Sequence, residues 1–201
     1  MTRTCNFDRN EKLIEAMQLF WEKGYEATSV ADLVEQLGIN RFSLYNTFGD
    51  KQRLYHEALA YYLDNVSIPK LEFLLEDSSR FDDVIHFVEK FASLQKDQEC
   101  GCFMQNALLE KSLSDEVVFQ EGSRLFGRIV QAFTAAISHS KQAGQLSENV
   151  DPAQLAQFLL MQLQGIRVLG KAKQYDVISS SMGVLKGYLS SLKINTSVAN
   201  D

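Results

Sequence analysis

The stretch TSVADLVEQLGINRFSLYNTFGDK (residues 28–51) predicts two short helices joined by a tight turn. Apolar side chains recur in it with the period of a helix, at Val30, Leu33, Val34 and Leu37. Ser29 and Asp32 have the spacing of an N-terminal capping box, and Gly38 can adopt the left-handed conformation that ends a helix. Asn40 can cap the second helix directly after this turn. The pattern is typical of a helix-turn-helix, whose second helix lies in the major groove of DNA.

The second predicted helix, residues 41–48, has an inner and an outer side. Leu44 and Phe48 are four residues apart and are predicted to point inward together with Ile39. The outer side then consists of Arg41, Phe42, Ser43, Tyr45, Asn46 and Thr47. Arginine can bind guanine and asparagine can bind adenine through paired hydrogen bonds, and an aromatic ring can contact a thymine methyl group. Two interpretations stay open for Phe42: contact with a thymine methyl group, or folding back onto the domain.

These residues resemble the signature of the TetR/AcrR family of transcriptional regulators. The resemblance rests on Gly38-Ile39-Asn40, Ser43-Leu44-Tyr45, Phe48 and Lys51, and upstream on Leu19-Phe20 and GYEATSV at residues 24–30. It covers residues 8–59 and implies a phosphate or base contact for Tyr45 and a DNA-backbone contact for Lys51. Phe42 departs from the family, which often has a small or polar residue there. The predicted DNA-binding residues are therefore Thr28, Ser29, Arg41, Phe42, Ser43, Tyr45, Asn46 and Lys51.

The charge balance of the chain is acidic. Its 201 residues carry a formal net charge of −6, and residues 1–67 contain seven basic and ten acidic residues. This balance excludes a strongly basic protein that binds phosphate regardless of sequence. A specific DNA site remains compatible with it because Arg41, Lys51 and Arg53 cluster around the second helix of the motif.

Helical patterns extend over the whole chain and predict an all-α protein of about nine helices. We assign residues 7–67 to a DNA-binding domain with the helix-turn-helix at 29–48, residues 68–195 to a ligand-binding and dimerisation domain, and residues 196–201 to a tail. No apolar run approaches the ~20 residues of a membrane span, and no signal peptide precedes the first helix. A cytoplasmic location without a membrane partner is expected.

The last two predicted helices are apolar on more than one side. In the final helix, Ile178, Met182, Leu185, Leu189 and Leu192 step by four, three, four and three residues, as in a coiled-coil seam. One apolar side of the preceding helix can face its own domain, and the other can face a second subunit. In the resembled family these helices form a dimeric four-helix bundle, which implies a homodimer on a palindromic operator. The predicted interface consists of Leu155, Phe158, Gly165, Val168, Met182, Leu185 and Leu189.

Aromatic and methionine residues of the second domain suggest a ligand pocket between helices. The predicted lining consists of Phe87, Phe91, Phe103, Met104, Phe133, Met161 and Gln164. The alternative is that these side chains form an ordinary core, since aromatics and methionines at helical spacing usually do. The sequence does not identify the inducer.

Cysteines allow a second kind of signal. Cys102 follows Gly101 at the start of a predicted helix, where a thiol can have a lowered pKa and a raised thiolate fraction. Family members that sense electrophiles or oxidants have a similar start to this helix, and Cys100 is a possible resolving partner, although a disulfide between residues two apart would be strained. The alternative is that Cys102 is a small buried hydrophobic residue.

No motif of catalysis or metal binding is present in the sequence. His56, His86 and His139 lack cysteine or carboxylate partners at a metal-ligand spacing, and no phosphate-binding glycine loop or nucleophile motif occurs. No enzyme activity, cofactor or metal is expected. The resemblance implies a ligand- or redox-responsive regulator that acts as a homodimer, most often a repressor in this family. The alternative is a helical small-molecule-binding or interaction module whose DNA-binding head has lost operator binding.

Overall fold

The computed structural model describes residues 7–97 and 100–194, and within them the chain forms nine α-helices. The helices are α1 Arg9–Lys23, α2 Val30–Leu37, α3 Arg41–Phe48, α4 Lys51–Tyr62, α5 Phe81–Ser93, α6 Phe103–Lys111, α7 Glu116–Gln142, α8 Pro152–Lys171 and α9 Tyr175–Ser191. A π-helical segment Leu63–Ser67 and 3-10 segments Ile68–Leu75 and Leu94–Lys96 complete the helical structure. The all-α prediction is confirmed.

The chain divides into two compact units. Unit 1 consists of Met1–Pro69 and Cys102–Leu125, and unit 2 consists of Lys70–Gly101 and Phe126–Asp201. The sequence interpretation assigned all residues from 68 to 195 to the second domain, whereas α6 and the first part of α7 pack within unit 1. The predicted tail, 196–201, lies outside the described residues.

Capping side chains explain where the helices begin. The Asp8 carboxylate accepts hydrogen bonds from the backbone N–H groups of Asn10 and Glu11 at the start of α1. The predicted capping box of α2 and the predicted N-cap Asn40 of α3 are present, and Asp50 and Asp151 cap α4 and α8. Each cap satisfies N–H groups that have no partner within the helix. These local signals are confirmed.

Two helical boundaries have local causes. Pro69 does not end the helical structure that follows α4, which continues through it as the 3-10 segment Ile68–Leu75. The residue lies in the first turn of that segment, where its missing N–H removes no intrahelical bond. Asp115 caps α7, since its carboxylate accepts from the N–H groups of Val117 and Val118.

The core of unit 1 contains a chain of aromatic rings from α1, α4 and α6. The ring centroid of Tyr55 lies 5.0 Å from that of Phe20, 4.9 Å from that of Tyr25 and 5.7 Å from that of Phe103. Phe103 also contacts Tyr62 at 5.7 Å. The rings meet mostly edge to face, the arrangement that aromatic quadrupoles favour. They join α6 to the helix-turn-helix part of the chain.

The Tyr55 hydroxyl group is buried in this cluster without a hydrogen-bond partner. Burial raises the pKa of Tyr55, with smaller contributions in the same direction from Glu110 and Asp115. An unpaired buried hydroxyl group costs free energy, so Tyr55→Phe is expected to leave the free energy of unfolding unchanged or to raise it by about 1–2 kcal/mol. Urea unfolding followed by circular dichroism measures this.

The matched control is Tyr62→Phe, because the Tyr62 hydroxyl group donates to the Cys102 sulfur at 3.6 Å. That substitution removes a hydrogen bond and is expected to lower stability by about 0.5–1.5 kcal/mol. A loss of stability in Tyr55→Phe as large as in Tyr62→Phe would contradict the assignment of Tyr55 as unpaired.

In unit 2, α5 packs against α8 and α9. Its core includes Val84, Val88, Phe133, Leu159 and Leu163, each no more than 1 % exposed. At the end of α8, a Cβ on Gly170 would lie 2.8 Å from the Cβ of Gln95, in the 3-10 segment that follows α5. Only glycine allows this contact without a shift of backbone or side chain.

Candidate nucleic-acid interface and ligand region

The helix-turn-helix has a buried inner side and an exposed outer side. Leu33, Leu37 and Leu44 are fully buried, and Phe48 is 3 % exposed. Gly38 ends α2 in the left-handed conformation at φ +60°, which directs the chain into α3. The inward prediction for Leu44 and Phe48 is confirmed, and this packing leaves the opposite side of α3 free for a ligand as large as DNA.

The outer side of α3 combines one cation with aromatic and amide groups. Arg41, Phe42, Tyr45 and Asn46 are exposed, and Ser43 is half-buried. The Arg41 guanidinium lies 5.6 Å from the Tyr45 ring centroid, with Nη2 3.4 Å from the hydroxyl oxygen. Phe42 is 76 % exposed, so it does not fold back onto the domain. Of the two interpretations of Phe42, contact with an external partner is the one that agrees with this exposure.

Two predicted DNA-binding residues have structural roles at the start of α2. Thr28 is fully buried, and its hydroxyl group donates to the Gly24 carbonyl oxygen at 2.6 Å. We therefore correct the prediction for Thr28, because this side chain faces the interior. Ser29 is exposed, but its side chain belongs to the capping box with Asp32.

Lys51 lies at the first position of α4, directly after the Asp50 cap. Its ammonium nitrogen is 4.2 Å from the centroid of the Tyr25 ring, and the Lys111 nitrogen is 4.5 Å from the same centroid. The two cations share one ring, an arrangement that cation–π attraction permits at a partly exposed site. A helix N-terminus with a lysine is a suitable environment for a phosphate group.

The acidic residues of unit 1 are largely occupied by other groups. Asp8 and Asp50 cap helices, and Arg9 pairs with Glu57 at 2.5 Å. The hydrogen bond from Ser29 and that from Lys23 hold the pKa of Asp32 far below its usual range. Since α3 itself has no acidic residue, the net negative charge of this part of the chain does not lie on the outer side of α3.

Glu110 on α6 fixes the segment between α1 and α2. Its Oε2 accepts a hydrogen bond from the Tyr25 backbone N–H at 2.9 Å, and its Oε1 accepts one from the Glu26 N–H at 2.8 Å. The next residue, Lys111, pairs with the Glu26 carboxylate at 3.2 Å. No local sequence pattern indicates that Glu110 makes these hydrogen bonds, because its partners are 85 and 84 residues away in the chain.

Asp115 makes a second connection, from the start of α7 to α4. Its Oδ2 lies 2.8 Å from His56 Nε2 and accepts a hydrogen bond from Gln52 at 3.1 Å. Burial would raise the pKa of Asp115, but the bonds from His56 and Gln52 together lower it. Within unit 1, Glu110 therefore fixes the segment between α1 and α2, and Asp115 connects the start of α7 to α4.

Cys102 is 4 % exposed and accepts the hydrogen bond from Tyr62, whereas Cys100 is half-buried. Reactive thiols usually lie in partly exposed, electropositive surroundings. This burial favours the interpretation of Cys102 as a small hydrophobic residue. The redox role stays a prediction, and unchanged operator release by electrophiles in Cys102→Ser would contradict it.

The seven predicted pocket residues are divided between the two units. Phe87, Phe91 and Phe133 lie together in unit 2, with ring centroids 6.3 Å apart for Phe87–Phe91 and 5.6 Å apart for Phe87–Phe133. By contrast, Phe103 and Met104 are buried in unit 1. We correct the prediction for these two residues, because packing places them in the core around Tyr55.

The remaining two predicted pocket residues lie on α8. Met161 is 62 % exposed and does not line an enclosed site within the chain. Gln164 has both amide atoms buried without a hydrogen-bond partner. Elsewhere in unit 2, a groove of about 390 Å³ lies between α5 and α9, and it is lined by Glu89, Ala92, Ser93, Lys96, Tyr175, Ile178, Ser179, Met182, Gly183 and Lys186.

The predicted dimer residues also separate into two groups. Leu155, Leu185 and Leu189 are between 1 % and 8 % exposed, so they belong to the core of unit 2 and not to a free surface. Phe158 and Met182 are half-buried, and Gly165 and Val168 are exposed. The exposed apolar residues of α8 and α9 that the prediction omitted are Met161, Val177, Val184 and Tyr188. The coiled-coil seam of α9 thus faces its own chain, and the adjacent stripe is exposed.

In residues 7–97 and 100–194, no three or more His, Cys, Asp or Glu side chains are grouped so that they could hold a metal ion. Across the same part of the chain, every helix is too short or too polar to cross a membrane.

The chain matches two family models. Residues 13–58 match the model of bacterial regulatory proteins of the tetR family, and residues 80–178 match a tetracyclin repressor-like C-terminal domain. The HTH-type transcriptional repressor ComR of Escherichia coli is 32 % identical over 168 residues, which cover 81 % of this chain and 79 % of ComR. The uncharacterised HTH-type transcriptional regulator YezE of Bacillus subtilis is 28 % identical over 92 % of this chain and its own full length.

The chain is also similar to a protein whose structure was solved in complex with DNA. The TetR family transcriptional regulator CifR, as a cysteine mutant with 26-base-pair double-stranded operator DNA, superposes with a TM-score of 0.77. The two sequences are 28 % identical, and the alignment covers 94 % of this chain and 99 % of that one. The similarity thus includes both units of the chain and favours a DNA-binding regulator over a module that has lost operator binding.

Proposed function

Since this chain belongs to the TetR family and is a helix-turn-helix transcriptional regulator, we propose that it is a homodimeric repressor that leaves a palindromic operator when a small molecule binds unit 2. The family is one of transcription regulators and not of enzymes. The observation that carries the proposal is the exposed outer side of α3, where Arg41, Phe42, Tyr45 and Asn46 are accessible together. The proposed location is the cytoplasm, because the proposed operator is chromosomal DNA.

Each exposed residue of this surface has a proposed role. Arg41 and Asn46 read base edges, because guanidinium and amide groups make paired hydrogen bonds to guanine and adenine. Phe42 contacts a thymine methyl group, which explains an exposed phenylalanine on a polar surface. Tyr45 and Lys51 contact the DNA backbone and set the position of α3 in the groove.

The homodimer is supported by the exposed apolar stripe on α8 and α9. Val168 is 55 % exposed, Val184 75 % and Tyr188 48 %, and the Tyr188 ring contacts Phe158 at 5.9 Å. A contiguous apolar stripe of this kind on a single chain is typical of a protein–protein interface. A two-fold dimer presents two α3 helices to two half-sites of an operator.

Induction follows from a shift between two arrangements of the protein. An inducer must bind the arrangement that does not bind DNA more tightly than the other, since equal affinity for both would shift nothing. We propose that α7 transmits this shift, because its first residues belong to unit 1 and the others to unit 2. Asp115 at its start bonds to α4, the helix that follows α3.

The proposal is tested by binding of the purified protein to its own promoter region, with an unrelated duplex as competitor and a salt titration. Saturable binding that outcompetes the unrelated duplex is expected. Binding that is equally strong for both duplexes, or absent at low salt, would contradict the repressor function.

Two variants separate base reading from backbone contact. Arg41→Ala is expected to cost about 1–3 kcal/mol on the operator and to relax base preference, because a bidentate contact to guanine is lost. Lys51→Ala is expected to weaken binding uniformly and to reduce the slope of log affinity against log salt by about 1. Fluorescence anisotropy on the operator and on single-base variants of it measures both effects.

The control is Lys70→Ala, which removes the same charge from an exposed residue of unit 2. It is expected to leave operator affinity unchanged. An equal loss on all sequences in Arg41→Ala would reassign this residue to a phosphate contact.

A further inference from the structure

Two neighbouring polar side chains of α8 have buried atoms without partners. These atoms are Nη1 of Arg167 and both amide atoms of Gln164, one helical turn before it. Buried donors and acceptors are nearly always paired in folded proteins, because leaving them unpaired costs free energy. An unpaired donor and acceptor on the same side of one helix indicates that an external group completes the bonding.

Arg167 is placed against aromatic rings of α5. Its guanidinium carbon lies 4.9 Å from the centroid of the Phe91 ring. Phe91 stacks on Phe87 with an angle of 19° between the ring planes, and Phe73 contacts Phe87 at 6.5 Å. Phe87 and Phe91 are half-buried, and Phe73 is 40 % exposed. Flat apolar surface therefore lies directly beside an unpaired guanidinium nitrogen.

The charge of Arg167 is not neutralised within the described part of the chain, since no carboxylate there lies within ion-pair distance of it. The acidic residues of the facing helix α5 are bound elsewhere. Glu89 pairs with Lys186 at 2.6 Å, Asp82 pairs with Lys193, and Asp83 accepts the Arg80 backbone N–H in a capping box. No carboxylate of the described residues therefore neutralises Arg167.

We propose that Arg167 and Gln164 bind the carboxylate of a small hydroxylated aromatic acid, whose ring packs beside Phe91 and Phe87. The guanidinium donates to the carboxylate oxygens, which match its planar geometry. The Gln164 amide oxygen accepts from the hydroxyl group at the opposite end of the ligand ring. This proposal rests on the proposed function, because the acid is the inducer that unit 2 would recognise.

The groove between α5 and α9 is less suited to the same acid. Its Lys186 is already paired with Glu89, and its Lys96 lies 5.8 Å from the Tyr175 ring centroid. Lys186 of that groove is therefore neutralised by a carboxylate, whereas Arg167 contacts the Phe91 ring and its Nη1 makes no hydrogen bond within the described residues. The unpaired polar atoms of Arg167 and Gln164, and not the volume of a groove, identify the proposed site.

The test uses the full-length protein and three probes: 4-hydroxybenzoate, 4-hydroxyphenylacetate and 4-hydroxycinnamate. Each is compared with its primary amide, which has the same shape without the charge. Calorimetric titration is expected to give binding of at least one acid and a loss of about 10- to 100-fold for its amide. Arg167→Met is expected to lower the affinity for the acid by a similar factor, and Gln164→Leu by about 10-fold.

Arg124→Met is the matched control, because Arg124 lies in unit 1 and pairs with Asp64 and Glu121 at 2.8 Å. It should retain acid binding. Without ligand, Arg167→Met should keep its melting temperature, its oligomeric state and its operator affinity, since it removes no hydrogen bond or ion pair within the described residues and the methionine side chain can still pack on Phe91.

Several results would overturn the proposal: no binding of any of the three acids, equal binding of acids and amides, or undiminished binding to Arg167→Met. A lower melting temperature or a changed oligomeric state of Arg167→Met without ligand would also overturn it, because Arg167 would then have a structural partner or one in a second subunit. Acid binding is measured without DNA. A failure of operator binding would therefore contradict the proposed function, but the acid-binding result could still be interpreted.

Discussion

A Val184→Asp substitution is expected to convert the protein into a monomer and to lower its operator affinity by about 10²- to 10⁴-fold, the range by which two linked binding modules exceed one. Val184 is 75 % exposed on α9, so the fold of the single chain does not depend on it. In a dimer through the α8–α9 stripe, the new carboxylate would be buried without a partner, which is strongly unfavourable. Sedimentation at micromolar concentration and anisotropy on the operator measure the two effects.

Leu113→Asp is the control for this experiment. Leu113 is fully exposed in unit 1, between α6 and α7, and the substitution adds the same charge to an apolar surface residue. It should leave both the dimer and the operator affinity intact. If wild-type protein already sediments as a monomer, or if Val184→Asp remains a dimer, the α8–α9 stripe is not the interface.

Replacement of Glu110 by alanine is expected to destabilise unit 1 by about 2–4 kcal/mol and to weaken operator binding, although Glu110 is not part of the α3 surface. The carboxylate accepts two backbone hydrogen bonds, from Tyr25 and Glu26, and bonds to a charged group contribute more than neutral ones. Without them, the segment that leads into α2 loses its fixed position. Chemical unfolding and anisotropy in parallel measure the change.

Glu22→Ala provides the comparison, because it removes an exposed carboxylate of α1 with the same change in net charge. If the effect of Glu110 on DNA were only electrostatic, both variants would bind more tightly, since a negative charge is lost. Weaker binding in Glu110→Ala and equal or tighter binding in Glu22→Ala would establish a positioning role. Unchanged stability of Glu110→Ala would contradict the two hydrogen bonds.

Together, Glu110 and Asp115 explain why α6 and the start of α7 belong to unit 1. Glu110 holds the turn before α2, and Asp115 bonds to Gln52 and His56 of α4. The recognition helix α3 lies between these two held elements in the chain. Its orientation therefore depends on residues that follow it by more than 60 positions.

Features that arise from neighbours within a few residues could be predicted from local patterns in the chain. The helix-turn-helix, its caps at Ser29, Asn40 and Asp50, and its inward residues Leu44 and Phe48 all follow from short-range hydrogen bonds and from the helical period. The outer side of α3 follows from the same period, which is why Arg41, Tyr45 and Asn46 were identified. These features also carry the family signature.

Packing between distant segments determines which apolar side of a helix faces inward and which polar groups form hydrogen bonds. Leu185 and Leu189 could face either their own chain or a second subunit, because a period of 3.5 residues serves both, and packing against α5 and α8 placed them inside. Phe103 joined the core of unit 1, and Thr28 turned inward to the Gly24 carbonyl group. The Glu110 bonds and the unpaired Arg167 nitrogen depend on contacts between distant segments, which no local pattern encodes.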